Sequence, residues 1–113
     1  MLIVQEKLTR EELSKISENF FTDMVKGVVD VKKETLAIDS ELHADLEVFL
    51  LERGSIQKDL WGINLYPGLS GDDFIEFDSM INIRPSQNNK SRTVENEATR
   101  EIIRKIIMEK IDE

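Results

Sequence analysis

The apolar positions of this chain change period several times, and each change marks an element. Leu2-Ile3-Val4 is a short apolar run that predicts a first strand. Leu13, Ile16 and Phe20 follow at helical spacing. The residues ahead of them form a start signal. Thr9 can accept from the free N–H groups while Glu12 reaches back, and Leu8 and Leu13 hold the two positions of a hydrophobic staple. A helix over about residues 10–21 is expected. Met24 to Val31 is β-branched and roughly alternating, Lys32-Lys33-Glu34 is polar, and Thr35 to Ile38 is apolar again. Two such runs around a short polar break predict a β-hairpin. Gly27, inside the first run, marks a bulge or a close backbone approach.

Ser40 offers the next cap, Leu42, Leu46, Phe49 and Leu50 share one helical face, and Gly54 stands where the helix should end. Val48 and Leu51 fall off that stripe. Leu60 to Tyr66 predicts a fourth strand, stopped by Pro67-Gly68. Phe74 to Arg84 predicts a fifth, halted by Pro85, with a turn at Gly71-Asp72-Asp73 between the two. Residues 85–92 have no period and read as a loop. Ala98, Ile102, Ile103, Ile106, Ile107 and Ile111 then share one face of the clearest amphipathic helix, with Asn96 as its cap. The order β-α-β-β-α-β-β-α with short turns predicts one α+β domain over residues 1–113. Its expected form is a mainly antiparallel sheet of about five strands with three helices packed on one face.

Composition narrows the chemistry. The chain of 113 residues fits a single domain, and its lack of Cys excludes a disulfide scaffold, a cysteine nucleophile and a thiolate zinc site. The start MLIVQEKLTREEL lacks the long apolar stretch of a signal peptide. The longest aliphatic and aromatic run, Val48 to Leu51, is far below the ~20 residues that span a bilayer. A cytoplasmic protein without a membrane partner is expected. Residues 1–83 carry 8 Lys/Arg against 17 Asp/Glu, while residues 84–113 carry 7 against 6. So acidic a body disfavours bulk nucleic-acid binding but leaves room for a local anion site in the last third.

Candidate chemistry gathers on the fifth strand. Ile75, Phe77, Ser79, Ile81 and Ile83 would face the core, leaving Glu76, Asp78, Met80, Asn82 and Arg84 on the reverse. Pairing with the fourth strand would add Asn64 and Tyr66 to that reverse face. Polar residues on an open sheet face are common, yet Asn and Asp are depleted in strands. Their presence points to a binding face. The loop beyond adds Arg84, Lys90 and Arg92 with the amides Gln87 and Asn88, no carboxylate, and a helix start ahead. Such a loop suits an anion. The expected ligand residues are therefore Asn64, Tyr66, Asn82, Arg84, Gln87, Asn88, Lys90 and Arg92.

Glu76 and Asp78, with Asp72 and Asp73 before them, could share a cation, but same-face carboxylates are more often solvated or neutralised, and no metal is assigned. His43, the sole histidine, with Asp45 or Asp78 forms the only catalytic set worth naming; no nucleophile elbow or zinc-binding helix motif is present.

The strings DMVKGVVDV, ELHADLE, DLWGINLYP and EFDSMINIRPSQNNKSR together resemble a family of short prokaryotic proteins catalogued only as a domain of unknown function. The resemblance covers nearly the whole chain and implies a stand-alone domain, without an activity or cofactor. The residues then favour a domain binding a small anionic ligand, ahead of a protein-interaction module or homodimer built on the Leu2–Val4 edge, and ahead of an enzyme using His43. No cofactor is named by any of these readings.

Overall fold

A computed structural model describes residues 1–112. Its strands are β1 (Leu2–Ile3), β2 (Val25–Asp30), β3 (Thr35–Ile38), β4 (Leu60–Leu65) and β5 (Ile75–Glu76). Its helices are α1 (Arg10–Ser17), α2 (His43–Leu51) and α3 (Glu97–Lys110). The strands form one antiparallel sheet in the order β1-β3-β2-β4-β5, so the expected α+β class and element order hold.

Two helices begin where their caps require. Thr9 Oγ1 accepts from the Glu12 N–H at 3.0 Å while Glu12 Oε1 accepts from the Thr9 N–H at 3.1 Å, closing the capping box on α1. Asn96 Oδ1 accepts from the Thr99 N–H at 2.9 Å at the start of α3. The start of α2 differs from expectation. Leu42, not Ser40, is its cap, and no side chain bonds the first turn.

The three helices do not share one face, which corrects the expected packing. Val29, Leu36 and Ile63 form one side of the sheet and pack with Leu13 of α1 and Ile103, Ile106 and Ile107 of α3. Val28, Ala37 and Leu60 form the other side, covered by Leu46 and Leu50 of α2. β2 is the central strand and is buried on both faces, with Val29 turned to α1 and α3 and Val28 to α2. Opposite Val28, the register places Ala37 on one side and Gly62 on the other, and these small residues let α2 approach. Gly27 stays in register without a bulge; a Cβ there would lie 3.0 Å from Ile63 Cδ1 and 3.1 Å from Leu36 Cδ1.

The fifth strand is the second correction. β5 stops after two residues, and the chain turns at Met80–Asn82 and again at Pro85–Gln87 instead of running straight to Arg84. Ile75 and Phe77 reach the core as expected, but Ile83 is exposed and Ile81 joins the smaller α2 cluster. Asn82 and Arg84, expected on an open face, are buried. Gly62 makes room for this turn, since a Cβ on it would fall 2.5 Å from Ser79 Cβ. Side chains then take over the edge of β4. The Asn82 amide donates to Gly62 O at 3.0 Å and accepts from Gly62 N at 2.8 Å, copying a strand neighbour. Arg84 donates to Leu60 O and Gln57 O.

Candidate functional site

On the α2 face, between the start of that helix and the outer strands, lies a cleft of about 380 Å³. The sheet supplies its floor. Lys26 of β2 is paired in register with Asn64 of β4, and Asn64 with Glu76 of β5, so the three side chains stand in a row across the sheet. Leu42, His43 and Ala44 bring the uncapped start of α2 to the cleft. Asp78 and Arg92 close it on the β5 side.

Hydrogen bonds divide these groups into spent and spare. The Asn64 amide nitrogen donates to Glu76 Oε1 at 2.8 Å and to Asp78 O at 3.2 Å. Both partners only accept, which fixes the orientation of the amide. Its Oδ1 is buried with no partner. Tyr66 donates its hydroxyl to the same Glu76 Oε1 at 2.9 Å. Burial and the Glu76 carboxylate push the Tyr66 hydroxyl up to about 12, so it stays a donor. Arg92 grips Asp78 through two parallel bonds of 3.0 and 2.9 Å, cancelling that carboxylate's charge. Lys26 makes no ion pair among the described residues; its ammonium lies 5.2 Å from the Phe21 ring centroid.

His43 is buried at the first position of α2, with Nε2 2.9 Å from Ile63 O. A carbonyl can only accept, so Nε2 carries the proton of the neutral ring. Burial pushes the imidazole below its ordinary value and Lys26 adds to this, while the Ile63 carbonyl, the Asn64 side chain and Asp78 oppose it. Asp45 is exposed on the same helix and outside the cleft, so only Asp78 of the two expected carboxylates lies in the cleft with His43.

The expected ligand residues separate into three groups. Asn64 and Arg92 line the cleft, and Tyr66 supports it through Glu76. Asn82 and Arg84 are committed to β4, with Asn82 also donating to Arg92 O at 3.0 Å and Arg84 stacked 4.3 Å from the Trp61 ring centroid. Gln87 and Asn88 line a separate groove of about 390 Å³ beside the start of α3. In the basic loop an anion is already present, because Glu95 accepts from Ser91 Oγ at 2.5 Å and from the Lys90 N–H at 3.2 Å. Those bonds hold the Glu95 carboxyl below its ordinary value. The Lys90 side chain is exposed. Lys26 was not among the expected residues. Only the pairing register, which places it beside Asn64, marks it out.

Among the described residues no group of three His, Cys, Asp or Glu is arranged to hold a metal ion, and no helix is long and apolar enough to cross a membrane. A family model described as "Protein of unknown function (DUF5674)" matches residues 2–110. No curated protein and no solved structure matches the chain.

Proposed function

The chain belongs to the DUF5674 family, to which no chemistry is attached, and from the cleft alone we propose that it binds a small molecule through an anionic group. The observation that carries the reading is the pairing of a free cation with free donors. Among the described residues Lys26 has no carboxylate partner, and the first N–H groups of α2 have no side-chain cap, at the same cleft. The first turn of a helix leaves its N–H groups without intrahelical acceptors, and the helix dipole adds a partial positive charge there. A second, independent sign is the orphaned Oδ1 of Asn64, a side chain 5 % exposed at the cleft floor. Such an oxygen is costly to leave unpaired.

The site differs from the expected one in its grip. Lys26 and the start of α2 replace the basic loop, where Arg92 already holds Asp78 and the Lys90 N–H and Ser91 hydroxyl already hold Glu95. Calorimetric titration with acetate, isocaproate and inorganic phosphate tests the reading. At least one should bind, and Lys26→Met should weaken it by about tenfold, the value of one lost charge contact near 1.4 kcal/mol. Silence from all three probes would end it.

A second reading, association of two copies, is favoured by α2 itself. Besides its buried face the helix exposes Leu42, Val48 and Leu51. Apolar side chains left exposed together on one helix offer a surface on which a second copy can pack. Light scattering that finds a monomer at high concentration, unchanged in Val48→Glu, would remove it.

A further inference from the structure

The row Lys26–Asn64–Glu76 carries more than an anion site. Each register pair is separated by roughly 5 Å between Cα atoms, so Lys26 and Glu76 stand about 10 Å apart with Asn64 between them. Neither charge is neutralised within the chain: no ion pair among the described residues contains Lys26 or Glu76. Both are restrained from meeting. Lys26 lies against Phe21, and Glu76 is held through Oε1 by the Asn64 amide and the Tyr66 hydroxyl, leaving Oε2 free of them. The other pair of charges in the cleft, Asp78 and Arg92, cancels itself. The floor therefore presents one positive and one negative pole on either side of a buried amide, with the positive pole reinforced by the start of α2.

We propose that the ligand is a zwitterion of the α-amino acid class with an apolar side chain, its carboxylate at Lys26 and the start of α2 and its ammonium at Glu76. The proposal rests on the anion reading above and adds the second pole. A ligand of one sign satisfies one end of the row and is repelled by the other, so charge complementarity selects a molecule bearing both. The apolar preference comes from the walls. Leu42 of α2 and Met80 of the turn after β5 are 51 % and 65 % exposed at the cleft, and Met24 and Ile81 stand beside them. The thioethers of Met24 and Met80 can adapt to side chains of different shape.

Three probes of one carbon skeleton separate the two claims. These are L-leucine, isocaproate, which lacks only the amino group, and isoamylamine, which lacks only the carboxylate. Titration calorimetry should find L-leucine bound at least about tenfold tighter than either of the others. Glu76→Gln keeps an oxygen for Asn64 and Tyr66 but removes the charge. It should lower L-leucine to the level of isocaproate and leave isocaproate unchanged or tighter. Lys26→Met should weaken L-leucine and isocaproate together. Isocaproate binding as tightly as L-leucine would overturn the zwitterion proposal and leave the anion reading standing. No binding by L-leucine or isocaproate would overturn the zwitterion proposal, and the anion reading falls with it if acetate and phosphate are silent too. Isoamylamine matching L-leucine would overturn both as well, in favour of a cation site.

Discussion

Two polar regions lie along the edge of β4, and they differ in how their hydrogen bonds end. At Asn82 the bonds close within the fold, and Arg84 turns both ends of its guanidinium onto the backbone, leaving its buried Nε without a partner among the described residues. The Asn82 amide serves Gly62 through both its groups and Arg92 O besides, and Arg84 caps two backbone carbonyls. A few residues along the same strand, the row of Lys26, Asn64 and Glu76 leaves an ammonium, a carboxylate oxygen and an amide oxygen without a partner among the described residues. Asn64 breaks the local preference of strands for residues other than Asn, and Asn82 stands in a turn laid against the strand edge. The difference is instructive: an unusual polar residue signals structure where its bonds close and a site where they do not.

Breaking the closed region should have the largest effect. Asn82→Ala leaves the Gly62 N–H and the Gly62 carbonyl unpaired at a buried edge, while Arg92 O keeps the Ser79 N–H at 3.0 Å. It should cost about 3 kcal/mol and lower the thermal midpoint by roughly 10 °C, read by calorimetry. Arg84→Lys should cost about 1–2 kcal/mol, since one ammonium cannot reproduce the fork that reaches Gln57 O and Leu60 O together. In the open region the signs reverse. Lys26→Met should leave stability within about 0.5 kcal/mol of the parent while lowering ligand affinity. A large loss of stability in this variant would place Lys26 with the closed group and erase the contrast.

His43 sharpens the same comparison through pH. Burial lowers its folded value, so the folded protein favours the neutral ring. Its contribution to stability is fully present above the ordinary imidazole value of 6.5 and is lost as the pH falls below it toward the lower folded value. His43 is the only histidine, so denaturant midpoints should decline on acidification through this window, and His43→Gln should flatten the decline. The smallest effect belongs to Arg92→Gln. Its pair with Asp78 is largely exposed and should contribute no more than about 0.5 kcal/mol, checked by the same denaturant titration.

Much of the fold was legible where the signals are local. The Thr9–Glu12 box, the Asn96 cap, the hairpin of β2 and β3 and the Ile103, Ile106, Ile107 and Ile111 face of α3 are all set by residues within one or two turns of each other. The expected Ala98 and Ile102 turn away from that face to solvent. The straight fifth strand was not, although its alternation from Ile75 to Ile83 fits a strand pattern. Nothing local tells that Gly62, more than ten residues earlier, will admit Ser79 against its backbone and bend the chain there. The side of the sheet taken by α2 was likewise hidden. It follows from Val28 standing in register between Ala37 and Gly62, a patch that only the pairing of three strands assembles.

The candidate site divides in the same way. Asn64, Tyr66, Asp78, Arg92 and His43 could be picked out one at a time as polar residues in unusual places, whereas Lys26 looked like an ordinary strand lysine. Local patterning along the chain set the order of the elements, the helices, the first four strands and the presence of surplus polar groups near the sheet edge. Only the tertiary structure decided which of those groups are spent. A hydrogen bond between Asn82 and Gly62, or a row of Lys26, Asn64 and Glu76, depends on cross-strand register, and register is a property of paired chains that no single segment carries.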